Sequence, residues 1–116
     1  MVPLLLLLAC APGVERFQST YARLRCMRLE QCALGEFEDR YDGDDDECRL
    51  DFEDRIERYA RCDFDSARAR RCLESVRNDT CGDLEDGVDA CGADFEEVFV
   101  CELEDLMDEG DSPYRR

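Results

Sequence analysis

An all-α fold, a small disulfide-stapled bundle of about four helices, is what the sequence predicts, and three observations lead there. Apolar residues recur at helical spacing from Glu15 onward, and only Val98-Phe99-Val100 is locally β-prone, inside a helical pattern. Charged residues make up 40% of the chain and large apolar side chains are sparse, so the core is thin for its length. Eight cysteines, Cys26, Cys32, Cys48, Cys62, Cys72, Cys81, Cys91 and Cys101, stand at spacings of 6, 16, 14, 10, 9, 10 and 10. That even set reads as four disulfides. Each bridge contributes about 2–4 kcal/mol by restricting the unfolded chain, so four rival the whole stability of a small domain.

Each helix has its own signature. Phe17, Tyr21 and Leu24 form one stripe and Ala22, Cys26, Leu29 and Ala33 an adjacent one, which predicts a first helix over about 15–33 with Gly35 as its stop. The acidic stretch Asp42-Gly43-Asp44-Asp45-Asp46 suits the N-terminus of a second helix, whose stripe is Cys48, Phe52, Ile56, Tyr59 and Ala60. Asp63-Phe64-Asp65-Ser66 supplies a turn and a cap for a third, with Ala69, Cys72, Leu73 and Val76 on one face. Asn78, within the sequon-like Asn78-Asp79-Thr80, and Gly82 end it, and a short helical turn is expected near Asp83 to Asp86. Asp94-Phe95-Glu96-Glu97 fits a capping box for a fourth helix carrying Phe95, Val98, Phe99, Leu103 and Leu106. If the first two helices form a hairpin, Cys32 faces Cys48, and Cys26 stands about 9 Å further along, level with Cys72. Cys32–Cys48 and Cys26–Cys72 are therefore the expected bridges, with Cys62, Cys81, Cys91 and Cys101 pairing among themselves and Cys62–Cys81 disfavoured.

Composition excludes much chemistry. The chain has no histidine, its fifteen basic residues are all arginine, and no two cysteines stand closer than six apart. Structural zinc, an iron–sulfur cluster and C-x-x-C redox chemistry lose their usual ligand spacing, and Ser–His, Cys–His and Ser–Lys catalysis lose their base. Carboxylate pairs such as Glu53 with Glu57 are so abundant that they read as solvated faces. No catalytic residue and no cofactor is assigned. Asp42, Asp44, Asp46 and Glu53 occupy positions 1, 3, 5 and 12 of an EF-hand-like register, a weak calcium candidate. Glu47 stands where that loop needs glycine, so a helix-capping acidic turn is the better reading.

Charge placement limits the partners. Residues 15–77 hold 13 Arg against 17 Asp and Glu, while residues 78–114 hold 14 acids and no base, within a net charge of −16. Such a field repels phosphate, so nucleic acid is not expected, and a cationic protein partner is.

The opening Leu4-Leu5-Leu6-Leu7-Leu8-Ala9-Cys10 resembles the lipobox of bacterial lipoproteins, in which the cysteine after a small residue is lipidated and becomes the new N-terminus. An ordinary secretory site at Ala9-Cys10-Ala11 would place Pro12 directly after the cut, which that peptidase accepts poorly. The lipobox cut leaves Ala11 second. Met1 to Ala9 lacks the usual positive residues and the apolar run is short; a start assigned a few residues too late accounts for both. The organisation expected is a lipoprotein-type signal peptide over 1–9, the lipidated Cys10 with a short linker over 10–14, the disulfide-rich helical domain over 15–108 and a tail over 109–116.

The segment Cys62-Asp63-Phe64-Asp65-Ser66-Ala67-Arg68-Ala69-Arg70-Arg71-Cys72-Leu73-Glu74-Ser75-Val76, followed by Cys81, Cys91 and Val98-Phe99, resembles the cysteine-rich lipoproteins of myxobacteria. Those proteins combine a lipobox, an aromatic-Asp pair followed by alanines, and a Cys-Leu helix leading to further spaced cysteines. The resemblance spans about two-thirds of the chain and implies location and architecture, with no activity to carry over. The expectation is a non-enzymatic lipoprotein of the cell envelope, anchored through lipid at the outer membrane or in the periplasm. The alternative is a freely secreted, disulfide-rich effector or inhibitor-like protein.

Overall fold

The computed structural model describes residues 13–85 and 90–102. Five helices and one two-stranded ribbon lie among them, so the described residues form a mostly helical, disulfide-stapled bundle. Helix α1, Val14–Cys32, is its axis, packing mainly on α3, Asp45–Glu57, and α4, Ser66–Asn78. Both predicted stripes of α1 are buried as far as Leu29, from Phe17, Tyr21 and Leu24 to Ala22, Cys26 and Leu29, because a helix with neighbours on two sides needs a wide apolar arc; Ala33, the last member expected, is half-buried just past the helix end. Gln18 Nε2 donates to the Glu53 carbonyl at 2.7 Å and Cys26 bonds to Cys48, so α1 and α3 run antiparallel. Phe17 touches Phe64 just before α4 and Arg28 donates to the Asp79 carbonyl just after it, so α1 and α4 run parallel.

Local chemistry sets the helix ends. Asp44 caps α3, its Oδ1 accepting from the Asp46 amide at 2.9 Å, with Asp45, Asp46 and Glu47 in the first turn where the helix dipole favours anions. Asp65 caps α4 by accepting from the Arg68 amide at 3.0 Å. Ala69, Cys72, Leu73 and Val76 are the buried face of α4, as the spacing predicts. The short helix α5, Cys81–Glu85, begins with Thr80 Oγ1 accepting from the Asp83 amide.

Three expectations are corrected. Gly35 does not stop helical structure: the chain breaks at Ala33 (φ −148°, ψ 60°) and restarts as α2, Leu34–Tyr41, which buries Phe37 and Tyr41 four residues apart. Asp42 (φ 53°) and Gly43 (φ 72°) then turn the chain into α3 through two left-handed residues. Next, α3 ends at Glu57, so Tyr59 is buried from a turn and Ala60 faces solvent. Finally, the capping box at Asp94 starts no helix among the described residues. Phe95 is left-handed (φ 57°), and its ring lies 5.0 Å from Tyr21 and 5.8 Å from Tyr59. Phe99–Val100 forms strand β2, antiparallel to strand β1 at Asp63–Phe64, and the Val98 carbonyl accepts from the Asp65 amide at 2.9 Å. The β preference of Val98-Phe99-Val100 prevails there because Phe64 and Tyr59 supply an apolar wall for Phe99, with ring centroids 5.4 and 5.6 Å away. Leu103 and Leu106 lie outside the described residues.

Candidate functional site

Four bridges fix the architecture on which any site depends. Cys26–Cys48, Cys32–Cys81, Cys62–Cys101 and Cys72–Cys91 have Cα separations of 6.0, 5.3, 4.6 and 4.6 Å. Cys32–Cys48 and Cys26–Cys72, expected from a simple hairpin, do not form. Helix α2 is the reason: by occupying the connection it displaces the hairpin register, so Cys26, six residues or about 9 Å earlier on α1, meets Cys48. Cys32 at the end of α1 then meets Cys81 at the start of α5. Cys81 and Cys91 therefore bond outside the group of four to which they were assigned. The eight cysteines pair with one another, which leaves Cys10 as the odd sulfur of nine. Cys10 and the rest of the lipobox-like segment lie outside the described residues.

The calcium candidate does not assemble. Asp44 is committed to capping α3, Asp42 is exposed in the left-handed turn, and Glu53 lies two turns into the helix with its carbonyl engaged by Gln18. No cluster of three or more Asp, Glu or Cys side chains able to hold a metal exists among the described residues. The EF-hand-like spacing is therefore used as a helix start.

Two features of the surface carry chemistry. The first is the acidic hairpin of α2 and α3, where residues 34–57 contain twelve acids against three arginines. Those arginines are spent internally: Arg49 Nε lies 2.7 Å from Asp45, while Asp51 Oδ2 takes Arg55 at 2.8 Å and Arg40 at 3.6 Å. Asp51 also accepts from the Tyr41 hydroxyl at 2.6 Å. Burial, reinforced by that hydrogen bond and by the Asp51 charge, pushes the Tyr41 phenol up to about 12 from its ordinary 10, against the opposing pull of Arg40 and Arg55. Leu50 stands exposed beside this hub. The sequence shows the acids but not their common hub, which needs α2 folded against α3.

The second feature is a pocket of about 210 Å³ where α1 ends, lined by Arg25, Arg28 and the Cys32–Cys81 bridge among others. Leu29, Ala33 and Glu36 complete the lining. Arg25 interacts with the buried Tyr21 phenol, whose pKa is raised by burial and drawn back by Arg25 and Arg55. The i,i+3 spacing of Arg25 and Arg28 was available in the sequence, but the wall built by Cys81 was not.

No family model matches the chain, and no curated protein or solved structure matches it. Among the described residues, no helix is long and apolar enough to cross a membrane.

Proposed function

We propose that this chain is a non-enzymatic lipoprotein of the cell envelope, anchored through lipid on Cys10 and presenting a disulfide-stapled acidic domain to a cationic protein partner. Sulfur stoichiometry carries the reading: eight cysteines are consumed in four bridges, and the ninth stands in a Leu-Leu-Ala-Cys context. Four structural bridges fit a chain that matures in an oxidising compartment. The likeness to myxobacterial cysteine-rich lipoproteins points the same way. Absence of His and Lys from the composition removes the commonest general bases and nucleophile activators, which favours a binding role over catalysis.

The α2–α3 hairpin is the surface proposed for the partner. Its arginines are already held by Asp45 and Asp51, so the surplus acids at Glu38, Asp39, Asp46, Glu47 and Asp54 face outward and attract positive charge. Mass spectrometry of the mature N-terminus tests the anchor. Diacylglyceryl on Cys10, with Cys10→Ser releasing the protein from the membrane fraction, is the expected result. An unlipidated residue at or after Cys10 would replace this reading by the freely secreted one.

A further inference from the structure

We propose that the Cys32–Cys81 bridge is a thiol–disulfide exchange site, opened by a dithiol reductant ahead of the other three bridges, and that its opening releases α5 from α1 while the rest of the bundle stays folded. This inference is independent of the lipid anchor and of the acidic hairpin. Exposure separates the four bridges. Cys26, Cys48, Cys72 and Cys91 are at most 2% exposed, so two bridges are closed to an attacking thiolate while the fold is intact. Cys62 is buried as well, which shields one side of Cys62–Cys101. Cys32–Cys81 has no buried half-cystine: Cys81 is exposed, Cys32 is half-buried, and both line the pocket where α1 ends. Arg25 and Arg28 line the same pocket, so an anionic thiolate meets positive charge there in a chain of net charge −16. Cys62–Cys101 is instead flanked in sequence by Asp63 and Glu102 against the single Arg61.

What this bond restrains is small. Helix α5 has five residues and no major packing partner among the described helices, so its attachment to α1 depends on the bridge. The other links of the bundle do not pass through Cys81. Cys26–Cys48 ties α1 to α3, Cys62–Cys101 stands at the end of the β1–β2 ribbon, and α1 packs directly on α4. Release stops at Asp79, whose carbonyl accepts from Arg28 and whose carboxylate accepts from the Ser75 hydroxyl, and again at Cys91, which is bonded to Cys72. The exchange runs in two steps. A reductant thiolate attacks one sulfur of the bridge and forms a mixed disulfide, while the other sulfur leaves as a thiolate and takes a proton. The second thiol of the reductant then displaces the remaining protein sulfur, so the bridge gains two electrons and two protons and the dithiol becomes a disulfide.

The test is a redox titration of the oxidised full-length chain at neutral pH without denaturant, in mixtures of reduced and oxidised dithiothreitol. Any free thiol is first blocked with iodoacetamide, thiols liberated in the titration are trapped with N-ethylmaleimide, and peptide mapping locates each label. Cys32 and Cys81 should be trapped together at a ratio of reduced to oxidised reagent at least about tenfold below that which opens any other bridge, a gap of ~30 mV for a two-electron couple. Where this pair alone is open, the far-ultraviolet circular dichroism should keep at least about nine-tenths of its helical signal. Amide hydrogen exchange should quicken at least about fivefold over residues 81–85 and stay unchanged over residues 17–29. Opening of another bridge first, or of all four in one step, overturns the proposal, because access would then come through unfolding and not at the surface. So does a loss of helical signal in step with this bridge, or unchanged exchange over residues 81–85, because the bond would then not be a local restraint. Failure of Cys32–Cys81 to open in fully reduced dithiothreitol overturns it as well.

Discussion

Removing the Cys26–Cys48 bridge by a paired change to alanine asks how far sulfur, as opposed to apolar packing, holds the bundle. The bridge closes a loop with a sequence separation of 22, for which the chain-entropy relation gives about 3.4 kcal/mol at 25 °C. Both half-cystines are fully buried between α1 and α3, so truncation also leaves a small cavity worth about 1 kcal/mol. The sum, about 4–5 kcal/mol, is a large part of the ~5–15 kcal/mol available to a domain of this size. It corresponds to a fall in melting temperature of at least about 15 °C. The paired removal of Cys32–Cys81 makes the informative contrast. Its separation of 49 gives a larger entropy figure, about 4 kcal/mol. Yet Cys81 is exposed and α5 has no major packing partner among the described helices, so the freed segment also gains motion in the folded state and returns much of that entropy. Urea unfolding followed by circular dichroism, with m-values compared, should show the Cys26–Cys48 pair costing more despite its shorter loop. A larger loss from the Cys32–Cys81 pair would refute the reasoning and make loop length alone decisive.

Other expected outcomes follow from single sites. Between about pH 10 and 12 the unfolded Tyr41 phenol ionises while the folded one keeps its proton, so stability should fall as pH rises through that window, by about 2 kcal/mol in all. Urea melts across the range should show that slope in the native chain and a clear reduction of it in Tyr41→Phe. Gly92→Ala should destabilise by about 1–3 kcal/mol, since φ is +82° and an added Cβ would sit 2.7 Å from Glu96 Cγ and 3.0 Å from the Glu97 amide nitrogen; thermal melts measure the loss. Asp44→Ala should cost about 1 kcal/mol through its lost cap, measured by the same melts. About 1 mM Ca²⁺ should leave the melting temperature of the native chain unchanged, and an upward shift would revive the EF-hand-like reading of Asp42, Asp44, Asp46 and Glu53.

The parts of the fold visible in the sequence are those whose signals are local. Asp44 and Asp65 cap α3 and α4 through residues two or three positions away, and the stripes of α1 and α4 recur within a few turns. Helix α2 also had a local signal in Phe37 and Tyr41, but Gly35 read as a terminator outweighed it. The segment around Phe95 failed for a different reason. Its capping-box residues favour a helix, while its partners, Phe64 on β1 and Tyr59 after α3, stand more than thirty residues away and draw it into a turn and strand. Cysteine parity gave four bridges correctly, yet their pairing depended on the register that α2 displaces. The acidic hub at Asp51 and the pocket beside Cys81 share that dependence, since each joins residues from separate helices.

One measurement bears most directly on the claim that oxidised sulfur holds this bundle together. A non-reducing peptide map of natively purified protein should yield four linked peptides, Cys26–Cys48, Cys32–Cys81, Cys62–Cys101 and Cys72–Cys91, with no thiol titrating among these eight. Eight free thiols in material that still unfolds cooperatively at high temperature would contradict the account.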